Sequence, residues 1–161
     1  MKIALYRGTG LVSDEIEGLT RSVYSHAAAW WPELGGVYEA ISEGFVLAPT
    51  LATNHDPGTI VDILSYKEPL TDDEDILANM MAKKMVGAPY DYVDVLAGFP
   101  FCLKYEPKAG RKAFFCSEAV FLICDAMGAK RVLLERTQAW RVSPEGINES
   151  PLLLWENTIT L

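Results

Sequence analysis

Residues 113–124, AFFCSEAVFLIC, set a cysteine just ahead of a run that is apolar at almost every position. A segment apolar nearly all round belongs in the middle of a protein, and Gly128 provides a stop. The stretch predicts a buried helix from Cys116 to about Met127, with the thiol in its first turn. A thiol attacks as its thiolate, and an unperturbed cysteine, with a pKa of about 8.5, is mostly protonated at neutral pH. A helix N-terminus and a nearby imidazolium both lower that value. The free backbone N–H groups of a first turn, Ser117 included, also form a natural oxyanion site. Cys124 lies mid-helix and reads as packing, whereas Cys102 follows a Phe-Pro-Phe segment with no identifiable partner.

What packs around such a helix is legible on either side of it. KIALYR (2–7) reads as a strand, and 13–22 as a helix capped by Ser13 or Asp14. VYSHAAAWWPELGGVYEAISEGFVLAP holds two aromatic and β-branched runs separated by a Pro and two Gly, a strand-turn-strand signal. Strands are also predicted at 44–48 and 59–66, joined by LATNHDPG. Thr71-Asp72-Asp73-Glu74 fits a capping box, and apolar residues then recur at helical spacing up to Gly87. A helix over DYVDVLAGF follows Pro89; a short strand at 130–134, a turn around Ser143–Gly146 and a strand near LLLW complete the chain. Strands first and helices later give an α+β class, with helices packed on one antiparallel sheet. At 161 residues, without internal repeat or linker, residues 1–161 form a single domain.

Composition narrows the function. A net charge of −8 disfavours nucleic acid and anionic membranes, because binding phosphates rests on Lys and Arg neutralising them. The start, MKIALYRGTG, lacks the apolar core of a signal peptide, and no stretch reaches the 18 or so apolar residues of a membrane span. A soluble, cytoplasmic protein is the expectation. Three cysteines without CxxC spacing signal neither a disulfide framework nor a four-ligand zinc site.

A nucleophilic Cys116 needs a base, and the chain has two histidines. His55 lies in the turn-like TNHDPG. His26 lies in a strand among small residues, YSHAAA, where an imidazole projects from a regular face. Alternation puts Tyr24, His26, Ala28 and Trp30 on one face. With the hairpin turn centred between Pro32 and Glu33, Glu39 falls directly opposite His26, where Cβ atoms are about 4.5 to 5.5 Å apart. A carboxylate there holds the imidazole in one tautomer and favours its charged form. Moving the turn by one residue makes the pair diagonal on the same face. Each residue also has a plainer role: a packed thiol, a satisfied strand histidine, an exposed carboxylate.

The ordered blocks GTGLVSDEIEGLTRSVYSHAA, VYEA, GAPYDY, FFCSEAV and SPEGI resemble the circularly permuted papain-like hydrolases of the YiiX type, relatives of the NlpC cell-wall peptidases. In that group the histidine strand precedes the cysteine helix. The resemblance implies Cys116 as nucleophile, His26 as general base and Glu39 as the residue orienting it. It further implies Tyr90 of GAPYD beside the thiol, helping to bind the oxyanion. The implied fold packs the cysteine helix against a small antiparallel sheet or partial barrel carrying His26 and Glu39. The implied chemistry is attack on an acyl carbon through a thioester, without cofactor.

The leading expectation is a cysteine hydrolase cleaving an amide bond in a peptide or cell-wall fragment. A second keeps the triad but acts on lipid acyl groups as thioesterase or acyltransferase, with Trp30, Trp31, Phe99 and Phe101 lining an acyl groove. A third is a catalytically idle module that retains the fold. Metal binding ranks below these, since Cys116, His26 and Glu39 supply only three ligands of mixed type.

Overall fold

Alternation of small and large apolar residues builds the centre of the molecule, a six-stranded antiparallel sheet in the order β4-β3-β2-β1-β5-β6. The strands are β1 Lys2–Arg7, β2 His26–Trp31, β3 Gly36–Ile41, β4 Gly44–Ala48, β5 Ile60–Tyr66 and β6 Leu153–Thr160. The helices are α1 Asp72–Met85, α2 Cys116–Asp125 and the short α3 Pro144–Asn148. The structure is a computed structural model and describes residues 1–7, 23–91, 113–134 and 137–161. The helices expected at 13–22 and over DYVDVLAGF, together with Phe99, Phe101 and Cys102, lie outside the described residues.

The two faces of the sheet carry different cores. Ile3, Leu5, Ala27, Ala29, Tyr38, Leu64 and Tyr66 form one face, against which α2 packs Ala119, Val120, Ile123 and Cys124. The alanines of β2 are fully buried and let the helix backbone come close. Ala4, Tyr6, Ala28, Val37, Val61 and Ile63 form the other face, joined by Ala48 at the end of β4 and closed by Leu51 in the β4–β5 loop. The chain is thus a mixed α+β protein in which, among the described residues, helices pack on one side of the sheet and a loop on the other.

The β2–β3 hairpin sets the register that matters most. Pro32–Leu34 forms a 3-10 turn, and Gly35 closes it at φ 64°, a left-handed conformation that glycine adopts without penalty. Ala28 therefore stands opposite Glu39, so the turn is centred between Glu33 and Leu34, one residue later than the sequence suggested. His26 and Glu39 are diagonal rather than directly opposed. A shift of two along one strand preserves the face, because side chains alternate with period two.

Helix α1 begins as its sequence requires. The Thr71 hydroxyl accepts from the Glu74 N–H at 3.3 Å, and the Glu74 carboxylate accepts from the Thr71 N–H at 2.8 Å. Residues 130–134 do not form the predicted strand; Ala129–Arg131 is a 3-10 turn. The carbonyls of this segment are taken by side chains rather than by a neighbouring strand. Tyr66 donates to the Arg131 carbonyl at 2.8 Å and Ser150 to that of Leu133 at 2.6 Å. The Arg131 guanidinium meanwhile donates to Glu74 at 2.8 and 2.9 Å and to the Glu68 and Pro69 carbonyls. The expected turn at Ser143–Gly146 is the start of α3, capped by the Ser143 hydroxyl accepting from the Gly146 N–H.

Candidate functional site

Cys116 is the first residue of α2, with Phe115 as an extended N-cap. Burial alone pushes its thiol up. The charge of His26, a hydrogen bond with that imidazole, and the backbone N–H groups of Ala27 and Ser117 outweigh burial and hold the thiol below its ordinary value. Cys124, two turns on, is pushed up to about 12 by burial, which a hydrogen bond with Tyr66 does not offset.

His26 opens β2, on the sheet face opposite the one that α2 covers. It is the end of the strand, where the Ser25 N–H bonds the Tyr6 carbonyl at 2.9 Å, that meets the start of the helix. Burial would lower the imidazole pKa, but the Cys116 sulfur and the Glu39 carboxylate raise it well above its ordinary value. The His26 Nε2 lies 2.9 Å from Oε2 of Glu39. Nδ1 is therefore the ring nitrogen left for the sulfur.

Glu39 is buried at the middle of β3, its side chain 0 % exposed. Burial pushes its carboxyl up, while hydrogen bonds with His26 and His55 overcome this and hold it at about 2. The same Oε2 lies 2.9 Å from Nε2 of His55, and Oε1 accepts from Nδ2 of Asn54 at 3.1 Å. A carboxylate accepts only, so both imidazoles present an N–H to one oxygen.

His55 is the functional-site residue that sequence reasoning set aside. The loop carrying it folds back over the second sheet face, with Asn54 at φ 69°, and its ring stacks on Tyr6, centroids 4.0 Å apart. Tyr6 also packs edge-on against His26 at 5.2 Å. The weak signals were a scarce residue type in a loop and a turn-forming asparagine before it. His26, Glu39 and His55 each offer one potential ligand atom, all within 4.8 Å of one another. This is a different set from Cys116, His26 and Glu39, which the sequence brought forward for metal; among the described residues the thiol is not in the cluster.

The remaining expected residues occupy specific places. The Ser117 hydroxyl is fully buried and donates to the Val142 carbonyl at 2.6 Å. It ties α2 to the segment before α3, and the backbone N–H of Ser117 is the part that lowers the thiol. Tyr90 pairs with Phe114 in an isolated parallel bridge two residues before Cys116. Trp31 is buried and donates to the Asp75 carboxylate at 3.0 Å, so it belongs to the core rather than to a groove.

Fold and site together define an α+β protein in which a helix-start thiol, a strand imidazole and a buried carboxylate converge. No protein-family model matches the chain, and no curated protein does. Among solved structures it is similar to the crystal structure of the metalloprotein YiiX from Escherichia coli O157:H7, with 17 % identity and a TM-score of 0.71. The likeness spans 99 % of this chain and 97 % of that one, so the YiiX-like fold runs from end to end. Among the described residues no helix is long and apolar enough to cross a membrane.

Proposed function

We propose that the protein is a cysteine-dependent hydrolase of the permuted papain-like type that cleaves an amide bond in a peptide or cell-wall fragment. The observation carrying this reading is a buried thiol at a helix start, held below its ordinary value by the charge of His26, whose Nε2 lies 2.9 Å from a buried carboxylate. The Cys116 thiolate attacks the acyl carbon and forms the C–S bond. The imidazolium of His26 gives its Nδ1 proton to the leaving amine as the C–N bond breaks. Water, deprotonated by the now neutral His26, then attacks the thioester and releases the carboxylate and the thiolate. Glu39 fixes the ring and favours its charged form. The backbone N–H of Cys116, with Tyr90 beside it, steadies the oxyanion.

The test is an activity-based acyl probe followed by mass spectrometry, offered with peptide, cell-wall and lipid-acyl recognition groups. Labelling at Cys116 with preference for the amide analogues is expected. Preference for lipid acyl groups moves the same triad to thioester chemistry. In parallel, iodoacetamide should alkylate Cys116 well below pH 8, and His26→Ala should abolish that low-pH reactivity. Titration of both proteins near the ordinary thiol value, without probe labelling, would leave an idle module of the same fold.

A further inference from the structure

The cluster on Glu39 holds one more imidazole than the thiol chemistry uses. We propose that His26, Glu39 and His55 form a site for one divalent transition-metal ion of zinc type, and that loading it switches off the thiol. The second half of this rests on the hydrolase reading; the metal site does not.

The donor set is two imidazole nitrogens and one carboxylate oxygen, which suits zinc and its neighbours better than magnesium or calcium, whose ligands are oxygens. Geometry supports the same conclusion. Two Nε2 atoms converge on Oε2 at 2.9 Å each, and the three donors lie within 4.8 Å of one another. Zinc bonds of about 2.0 to 2.2 Å in a tetrahedron separate ligand atoms by roughly 3.3 Å. A small opening of the cluster therefore admits the ion where two N–H hydrogens now point. The side chains are 15 %, 0 % and 13 % exposed, closed enough to desolvate an ion yet reachable from solvent. The surroundings supply support of the kind metal ligands carry. Asn54 donates to Oε1 and leaves Oε2 for the ion, and Tyr6 holds the His55 ring by stacking. Three protein ligands leave one position for water.

Loading requires His26 to present Nε2 as a lone pair. The ring is then left with its hydrogen on Nδ1 facing Cys116 and has no second proton to pass to a leaving group. Glu39 is likewise drawn from the imidazole to the ion. Metal occupancy and proton shuttling thus compete for the same atoms.

Zn²⁺ and Co²⁺ titrations of the full chain, stripped with chelator, read binding by calorimetry and by the visible absorption of tetrahedral cobalt. One ion per chain is expected, with Cys116→Ser retaining it and with His55→Ala and Glu39→Gln weakening it at least 100-fold. Circular dichroism confirms that each variant is folded, and His55→Gln serves if His55→Ala is not. Zn²⁺ should also suppress Cys116 alkylation at pH 7 in the parent chain and not in the His55 variant. No ion bound by the parent chain, unchanged binding in the folded His55 variant, or loss in Cys116→Ser would each overturn the site. If the acyl probe never labels Cys116, the hydrolase reading fails while the cobalt spectrum still decides the metal. Binding without protection of the thiol overturns the switch alone.

Discussion

At the scale of single residues, Glu39 is the group on which the site depends. One oxygen of it serves two histidines, and the other is held by Asn54. Removing one partner of a buried ion pair leaves the other uncompensated, at a cost of about 3 to 5 kcal/mol. In Glu39→Ala the His26 imidazole, no longer favoured in its charged form by the carboxylate, can shed its charge, so the lower figure applies: a loss of about 3 kcal/mol in urea unfolding. Glu39→Gln keeps the shape and should lose less stability, while still raising the pH at which Cys116 reacts with iodoacetamide. Equal stability of Glu39→Ala and the parent chain would contradict the buried pairing. The two helix cysteines separate on the same grounds. Cys124, pushed up to about 12 by burial, should remain unmodified in the native protein while Cys116 reacts, as peptide mapping would show.

At the scale of elements, turns place these side chains, and two glycines in them differ instructively. Gly44, at φ 121°, begins β4 where a Cβ would lie 2.5 Å from the Ala88 carbonyl oxygen. That oxygen accepts from the Phe45 N–H, and the Gly87 N–H returns a bond to Phe45. Gly35, at φ 64°, has nothing within 4 Å of its would-be Cβ. Gly35→Ala should therefore cost only the left-handed backbone strain, about 1 to 2 kcal/mol. Gly44→Ala adds a clash with fixed backbone and should cost about 3 kcal/mol or more. Thermal melts of both proteins check the order. The same elements explain what the sequence disclosed. Cys116, its helix and the capping box at Thr71 follow from local pattern, and His26 and Glu39 share a face by parity alone. The hairpin register depended on a 3-10 turn whose length Pro32 and two glycines do not specify. His55 depended on a loop folding across the sheet, and periodicity says nothing of loops. The segment at 130–134 has the apolar look of a strand, but its backbone bonds go to Tyr66 and Ser150, a tertiary outcome no local pattern contains.

At the scale of the whole molecule, two buried or half-buried acids tie distant parts of the chain together, and both respond to pH in one direction. Asp62 joins β1, β5, β6 and the approach to β2: it accepts from Arg7 at 2.6 and 3.0 Å, from Tyr24 at 2.7 Å and from Thr158. Burial pushes Asp62 up, but these donors together hold it below its ordinary value. Glu74 joins the start of α1 to the turn after α2, and the Arg131 guanidinium, with the Thr71 cap, holds it at about 2. Unfolded acids titrate near 3.9 to 4.3. At pH 7 both states are ionised and the full contribution is present. As pH falls below about 5 the unfolded chain takes up protons first, so unfolding gains, and each contribution is gone once its folded carboxyl also protonates, which for Glu74 is near pH 2. Melting temperature should hold between pH 7 and 5, so far as these acids govern it, and drop steeply from 5 to 2. Glu74→Gln and Asp62→Asn should each lower it at pH 7 yet flatten the acid slope. An acid slope unchanged in both variants would mean that neither acid couples folding to pH.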